Sequence, residues 1–123
     1  MPNLEPAEPV VLNERGDVNV FRSIRSLIGH VEAIDVRDGV YEAFDATGRS
    51  IVLSAASDRA AVTYTVSPTA DPERLRSVLL RFATRPRVAT ALPPEIDIGA
   101  ATLAGLLDAL LPKEKPRRRW FHR

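Results

Sequence analysis

Five carboxylates, Glu32, Asp35, Asp38, Glu42 and Asp45, crowd the stretch HVEAIDVRDGVYEAFD at 30 to 45, around a single cation, Arg37. Acids gathered in this way can ligate a hard metal ion, handle protons, or present a negative surface. A calcium or magnesium site needs oxygens converging at close range, and DVRDG lacks the alternate-position acids of a calcium loop, so no metal is assigned. The five acids instead predict a partner-binding edge that steers a basic protein toward it. The opposite chemistry lies further along the chain. Arg74, Arg81 and Arg85 align along one flank of an expected helix, and KEKPRRRWFHR at 113 to 123 sets Lys113, Lys115, Arg117, Arg118, Arg119 and Arg123 beside Trp120 and Phe121. Cations of this kind contact phosphates and the rings stack on bases, so Arg74, Arg81, Arg85, Arg117, Arg118, Arg119 and Trp120 form a candidate nucleic-acid contact.

Other reactive groups are few. There is no cysteine, which excludes disulfides, thiol catalysis and thiolate-bound metals and fits a reducing cytoplasm. His30 and His122 stand in no spacing that makes a metal or catalytic motif, the six glycines are scattered and form no phosphate loop, and RGD at 15 to 17 is assigned no adhesive role. The chain therefore reads as non-enzymatic, with no catalytic residue and no cofactor. Its first residues, MPNLEPAEPVVLNER, carry acids and prolines where a secretory signal needs positive charge and an apolar run, so a cytoplasmic protein is expected.

The elements that must position these groups follow from periodicity. At 123 residues and 45% hydrophobic content, one domain is expected over 16 to 112, between a flexible Pro-rich arm at 1 to 15 and the basic aromatic tail at 113 to 123. The net charge of +1 conceals a tail at +5 and a remainder at −4, from 11 basic and 15 acidic residues. DVNVF at 17 to 21 alternates as a strand. Ser23 caps a helix over 23 to 34, with Ile24, Leu27, Ile28, Val31 and Ile34 on one stripe, and DVRDG turns the chain. Strands at 40 to 46, 49 to 56 and 60 to 67 form a meander. Asp71, Pro72 and Glu73 open a second helix, ended by Pro86. A third runs over 97 to 111, about 22 Å long and too short to span a bilayer. Its leucines Leu103, Leu106, Leu107 and Leu110 suit either packing on the sheet or pairing with a second copy, as in a homodimer, or with another protein. The fold class is α+β, a four-stranded, mostly antiparallel sheet with three helices on one face, in the order β-α-β-β-β-α-α.

GDVNVF and, after the helix, EAIDVRDGVYEAFDATGR together carry a pattern written DVRDGxYxxFDxxGR. In this the chain resembles small bacterial proteins of unassigned function, over residues 16 to 85, and is similar to immunity proteins of bacterial toxin systems. The resemblance implies inhibition of a partner protein by surface contact. Two functions are thus expected as alternatives: a protein-interaction module acting through the acidic edge, or a nucleic-acid-binding protein using the arginine stripe and tail.

Overall fold

The computed structural model describes residues 4 to 112. It is α+β, with the strands β1 (Val10–Glu14), β2 (Asp17–Phe21), β3 (Tyr41–Phe44), β4 (Arg49–Ser54) and β5 (Thr63–Ala70) in one antiparallel sheet of order β2-β1-β3-β4-β5. The helices are α1 (Ile24–His30), α2 (Ala33–Arg37), α3 (Pro72–Ala83), α4 (Pro86–Ala91) and α5 (Leu103–Leu110), with a 3-10 turn at Ile98–Ala100.

The expected count of four strands and three helices is corrected first at the N-terminus. Val10–Glu14, placed by composition in a flexible arm, is a strand flanked on both sides by partners. Val10, Val11 and Leu12 are all fully buried, and consecutive apolar residues are what a strand covered on both faces requires. Pro9 stands just outside the ladder, where its missing N–H removes no strand bond. β1 turns into β2 through Arg15 and Gly16 alone, both at positive φ (51° and 99°), the backbone of a tight hairpin, and Asn13 Oδ1 accepts the Gly16 amide at 2.8 Å.

Because β1 is apolar on both faces, helices cover both faces rather than one. Leu27, Ile24 and Ile28 of α1, with Val31 and Val36, pack on Val10, Leu12, Ala43, Ile51 and Val66. On the other face, Leu75, Val78 and Leu79 of α3 and Leu106 and Leu107 of α5 pack on Val11, Val18, Val20 and Phe44. The second layer stops at β3, so the outer face of β4 and β5, with Ser50, Val52, Ser54, Thr63 and Thr65, is exposed. Pro68 is tolerated in β5 because that strand is an edge.

The helix expected over 23 to 34 is two short ones. Ser23 does cap α1, accepting the Ser26 amide at 3.1 Å, but Val31 takes an extended conformation and the chain restarts at Ala33 as α2, which runs into the predicted turn. The break keeps Val31 and Ala33 buried and leaves Ile34, the last member of the predicted stripe, exposed. Asp71 and Pro72 open α3 as expected, with Asp71 Oδ1 accepting from the Arg74 amide at 3.0 Å. Pro86 ends α3 and then serves as the first residue of α4. The predicted 97 to 111 helix resolves into the 3-10 turn and α5, capped by Thr102, whose hydroxyl accepts the Gly105 amide at 3.0 Å. No helix among the described residues is long and apolar enough to cross a membrane.

Candidate functional site

α3 carries Arg74 and Arg81 toward the β1–β2 turn, while its Arg76 bonds the Gly99 and Ala101 carbonyls, and helix and turn enclose a cleft of about 320 Å³. Asn13 and Val78 contribute from β1 and α3, Ser77 adds a hydroxyl, and the charged lining among the described residues is entirely basic: Arg15, Arg74, Arg81 and Arg85. Arg74 and Arg81 are two helical turns apart and share a face, whereas Arg85 follows the last turn and reaches back. Its guanidinium lies 5.6 Å from the centre of the Phe82 ring, a cation–π contact that orients the planar group. Gly16 leaves it room: a Cβ there would approach Arg85 Nη2 to 2.6 Å, and the positive φ already disfavours any other residue.

Two carboxylates hold Arg74 and Arg85 in place. Glu42, on β3, accepts Arg74 in a forked arrangement at 3.1 to 3.3 Å and also accepts Asn13 Nδ2 at 3.2 Å. Asp17 accepts Arg85 Nη1 at 2.8 Å. Arg15 and Arg81 have no ion-pair partner among the described residues. Four guanidinium groups against two carboxylates leave the cleft positive. The paired groups are all substantially exposed, so the pairs contribute little to folding and chiefly position charge.

The predicted acidic edge is not a single surface. Glu32, Asp35 and Asp38 stay together on and beside α2, where Arg37 pairs with Asp58 at 3.3 Å and the Tyr41 hydroxyl donates to Asp35 at 3.4 Å. Burial, reinforced by the negative charge of Asp35 and Glu14, raises the pKa of that hydroxyl above the usual tyrosine value. Glu42 faces the opposite way, into the arginine cleft, because successive residues of a strand alternate faces. Asp45 is a correction: it is fully buried and cannot meet a partner. Its Oδ1 accepts from the Thr47 amide (2.9 Å), the Thr47 hydroxyl (2.7 Å) and the Arg49 amide (3.0 Å), and its Oδ2 accepts from Arg49 Nε (2.7 Å) and the Ala7 amide (3.1 Å). Burial alone would raise its pKa, but the hydrogen bonds from Thr47, Ala7 and Arg49 outweigh it and hold the carboxyl below the ordinary value.

The leucine face is divided by the fold. Leu106 and Leu107 are buried in the α3 and α5 layer, whereas Leu103 and Leu110 pack half-buried at its margin. Arg117, Arg118, Arg119 and Trp120 lie outside the described residues. Sequence reasoning found Arg74, Arg81 and Arg85 and missed Arg15, Gly16 and Asn13. The available signal was the pair Arg15 and Gly16 between an apolar run and an alternating one, a hairpin pattern obscured by the prolines before it. Comparison of the chain with protein-family models, with curated proteins and with solved structures found no match to any of them.

Proposed function

We propose that the protein acts by binding, holding a phosphate group of a single-stranded nucleic acid in the arginine cleft. The observation that carries this reading is the convergence of Arg15, Arg74, Arg81 and Arg85 on one cleft with only Glu42 and Asp17, among the described residues, to offset them. Guanidinium groups stay protonated in proteins, so they supply charge and forked hydrogen bonds rather than proton transfer, and the fork matches phosphate. A cleft of about 320 Å³ is at the small end of ligand sites and admits a nucleotide-sized unit, not a duplex. Contacts to phosphate position a strand without reading its bases, so the binding is sequence-tolerant and weakens with salt. Capture of a basic protein by the acidic edge has weaker support, since Asp45 is buried and Glu42 is paired with Arg74.

Anisotropy of a labelled single-stranded oligonucleotide at low ionic strength tests the reading, with inorganic phosphate and polyglutamate as competitors. The oligonucleotide binds, phosphate competes weakly and polyglutamate competes less well than unlabelled oligonucleotide at equal charge. Arg81→Ala lowers affinity about tenfold, the worth of one charge-assisted hydrogen bond. Glu42→Gln raises it, because Arg74 is released to the ligand. Absence of binding, or better competition by polyglutamate, overturns the proposal. So does loss of all binding on deleting 113 to 123, which would place the site in the tail.

A further inference from the structure

A second concavity, of about 550 Å³, opens beside α5, where Leu103, Ala104, Leu107 and Leu111 form an apolar wall facing Pro9 and Ala46. Among its described lining residues, the charged ones are Glu8 and Asp108, both acidic, while Arg22 stands at the edge beside Pro112. It lies on the same face of the sheet as the arginine cleft but by the start of β1 and the end of β3, away from the β1–β2 turn that closes the cleft. We propose that this groove is the docking site of the chain's own segment 113 to 123, which seats Trp120 and Phe121 on the leucine wall while its arginines face Glu8 and Asp108.

Three features favour this occupant. The chain leaves the groove at its edge: Leu111 lines it, and the next residue, Pro112, offers its carbonyl to Arg22 Nη2 at 3.0 Å. Trp120 is eight residues beyond Pro112, a reach of at most about 26–29 Å when extended, whereas α5 is only about 12 Å long, so a return to the groove is well within range. Charge also matches, since the segment carries six basic residues and one acid, and the charged residues that line the groove, Glu8 and Asp108, are acids. Aromatic rings bring much apolar area at small conformational cost, which suits a wall made of leucine and alanine.

Trp120 is the chain's single tryptophan, so its emission reports the contact directly. In the full-length protein its emission maximum lies to the blue of that of the free peptide 113 to 123, and it is protected from a soluble quencher. Ala104→Arg, at an exposed position on the groove wall, returns the emission toward that of the peptide while circular dichroism stays unchanged. Asp108→Lys does so in part, and raised salt lessens the difference between it and the unaltered protein. An emission identical to that of the free peptide overturns the proposal, as does a blue shift that Ala104→Arg leaves intact. A shift that disappears on dilution together with a dimer in sedimentation also overturns it, since the occupant is then a second copy. Oligonucleotide binding at the arginine cleft is unaffected by Ala104→Arg, so the two proposals stand or fall separately.

Discussion

Replacing Asp45 with alanine is expected to cost about 3–5 kcal/mol of folding stability, the range for removing one partner of a buried, hydrogen-bonded ion pair. The side chain is fully buried and accepts from five donors, and alanine would leave the Thr47, Arg49 and Ala7 amides without that acceptor and the Arg49 guanidinium without its carboxylate. At roughly 4 °C per kcal/mol for a domain of this size, the melting temperature falls by about 10–20 °C. Asp45→Asn keeps the volume but turns an N–H₂ toward donors, so its effect is intermediate. The effect is pH-dependent with a defined sign. A carboxyl whose folded pKa is lowered contributes stability that is complete above the unfolded value of about 3.9 and is lost as pH falls through the folded value. The difference between wild type and Asp45→Ala, measured by urea unfolding, is therefore constant near neutrality and shrinks in acid. A melt within two or three degrees of wild type, or a gap that does not narrow on acidification, would show that the network carries no such weight.

The turn that Asp45 holds also governs the cleft. Gly48, at φ +90°, packs so closely on the next element that a Cβ would lie 2.6 Å from backbone atoms of Asp71 and Pro72, and its carbonyl accepts the Asp71 amide at 2.9 Å. Asp71 is the cap of α3, so the start of the arginine-bearing helix is anchored to the β3–β4 turn. If the cleft binds phosphate as proposed, Asp45 acts on it through the placement of Arg74 and Glu42, not by touching a ligand.

Reversing two charges in the cleft, Arg81→Glu with Arg85→Glu, is expected to lower oligonucleotide affinity by about 10²–10⁴-fold, as two charge-assisted hydrogen bonds are each worth roughly 1.5–3 kcal/mol. The slope of log affinity against log salt concentration becomes shallower by about one for each phosphate that the protein no longer neutralises. Stability changes little, because the Arg85 to Asp17 pair is solvent-exposed. Arg25→Glu with Arg59→Glu makes the same change in net charge at exposed positions remote from the cleft and serves as the control. If that control weakens binding as much as the cleft variant, the attraction belongs to overall charge and the cleft is not the site.

Local chemistry was legible in the chain where its cause is local. Asp71 with Pro72 announces the start of α3, Ser23 that of α1, and the short interruptions ATG at 46 to 48 and SDR at 57 to 59 announce the hairpins that join β3, β4 and β5, because capping and turn geometry are settled by a few neighbouring residues. The second connection is longer than expected, 55 to 62. β1 was not legible. The prolines before it read as an arm, and only a sheet that offers partners on both sides, with helices above and below, makes Val10, Val11 and Leu12 a central strand.

The sites divide in the same way. Helical spacing alone placed Arg74 and Arg81 on one face, and composition alone excluded thiol chemistry. Whether a nearby carboxylate is a recognition surface, a clamp or a buried staple depends on what the fold sets opposite it. Asp38 and Asp45, seven residues apart, end respectively in solvent and at the centre of five hydrogen bonds, and Glu42 between them turns to Arg74 on a helix distant in sequence. Periodicity is a property of neighbouring residues and so can be read along the chain; burial and pairing are properties of residues far apart in it, and only the assembled sheet, with β1 between β2 and β3, sets those residues against one another.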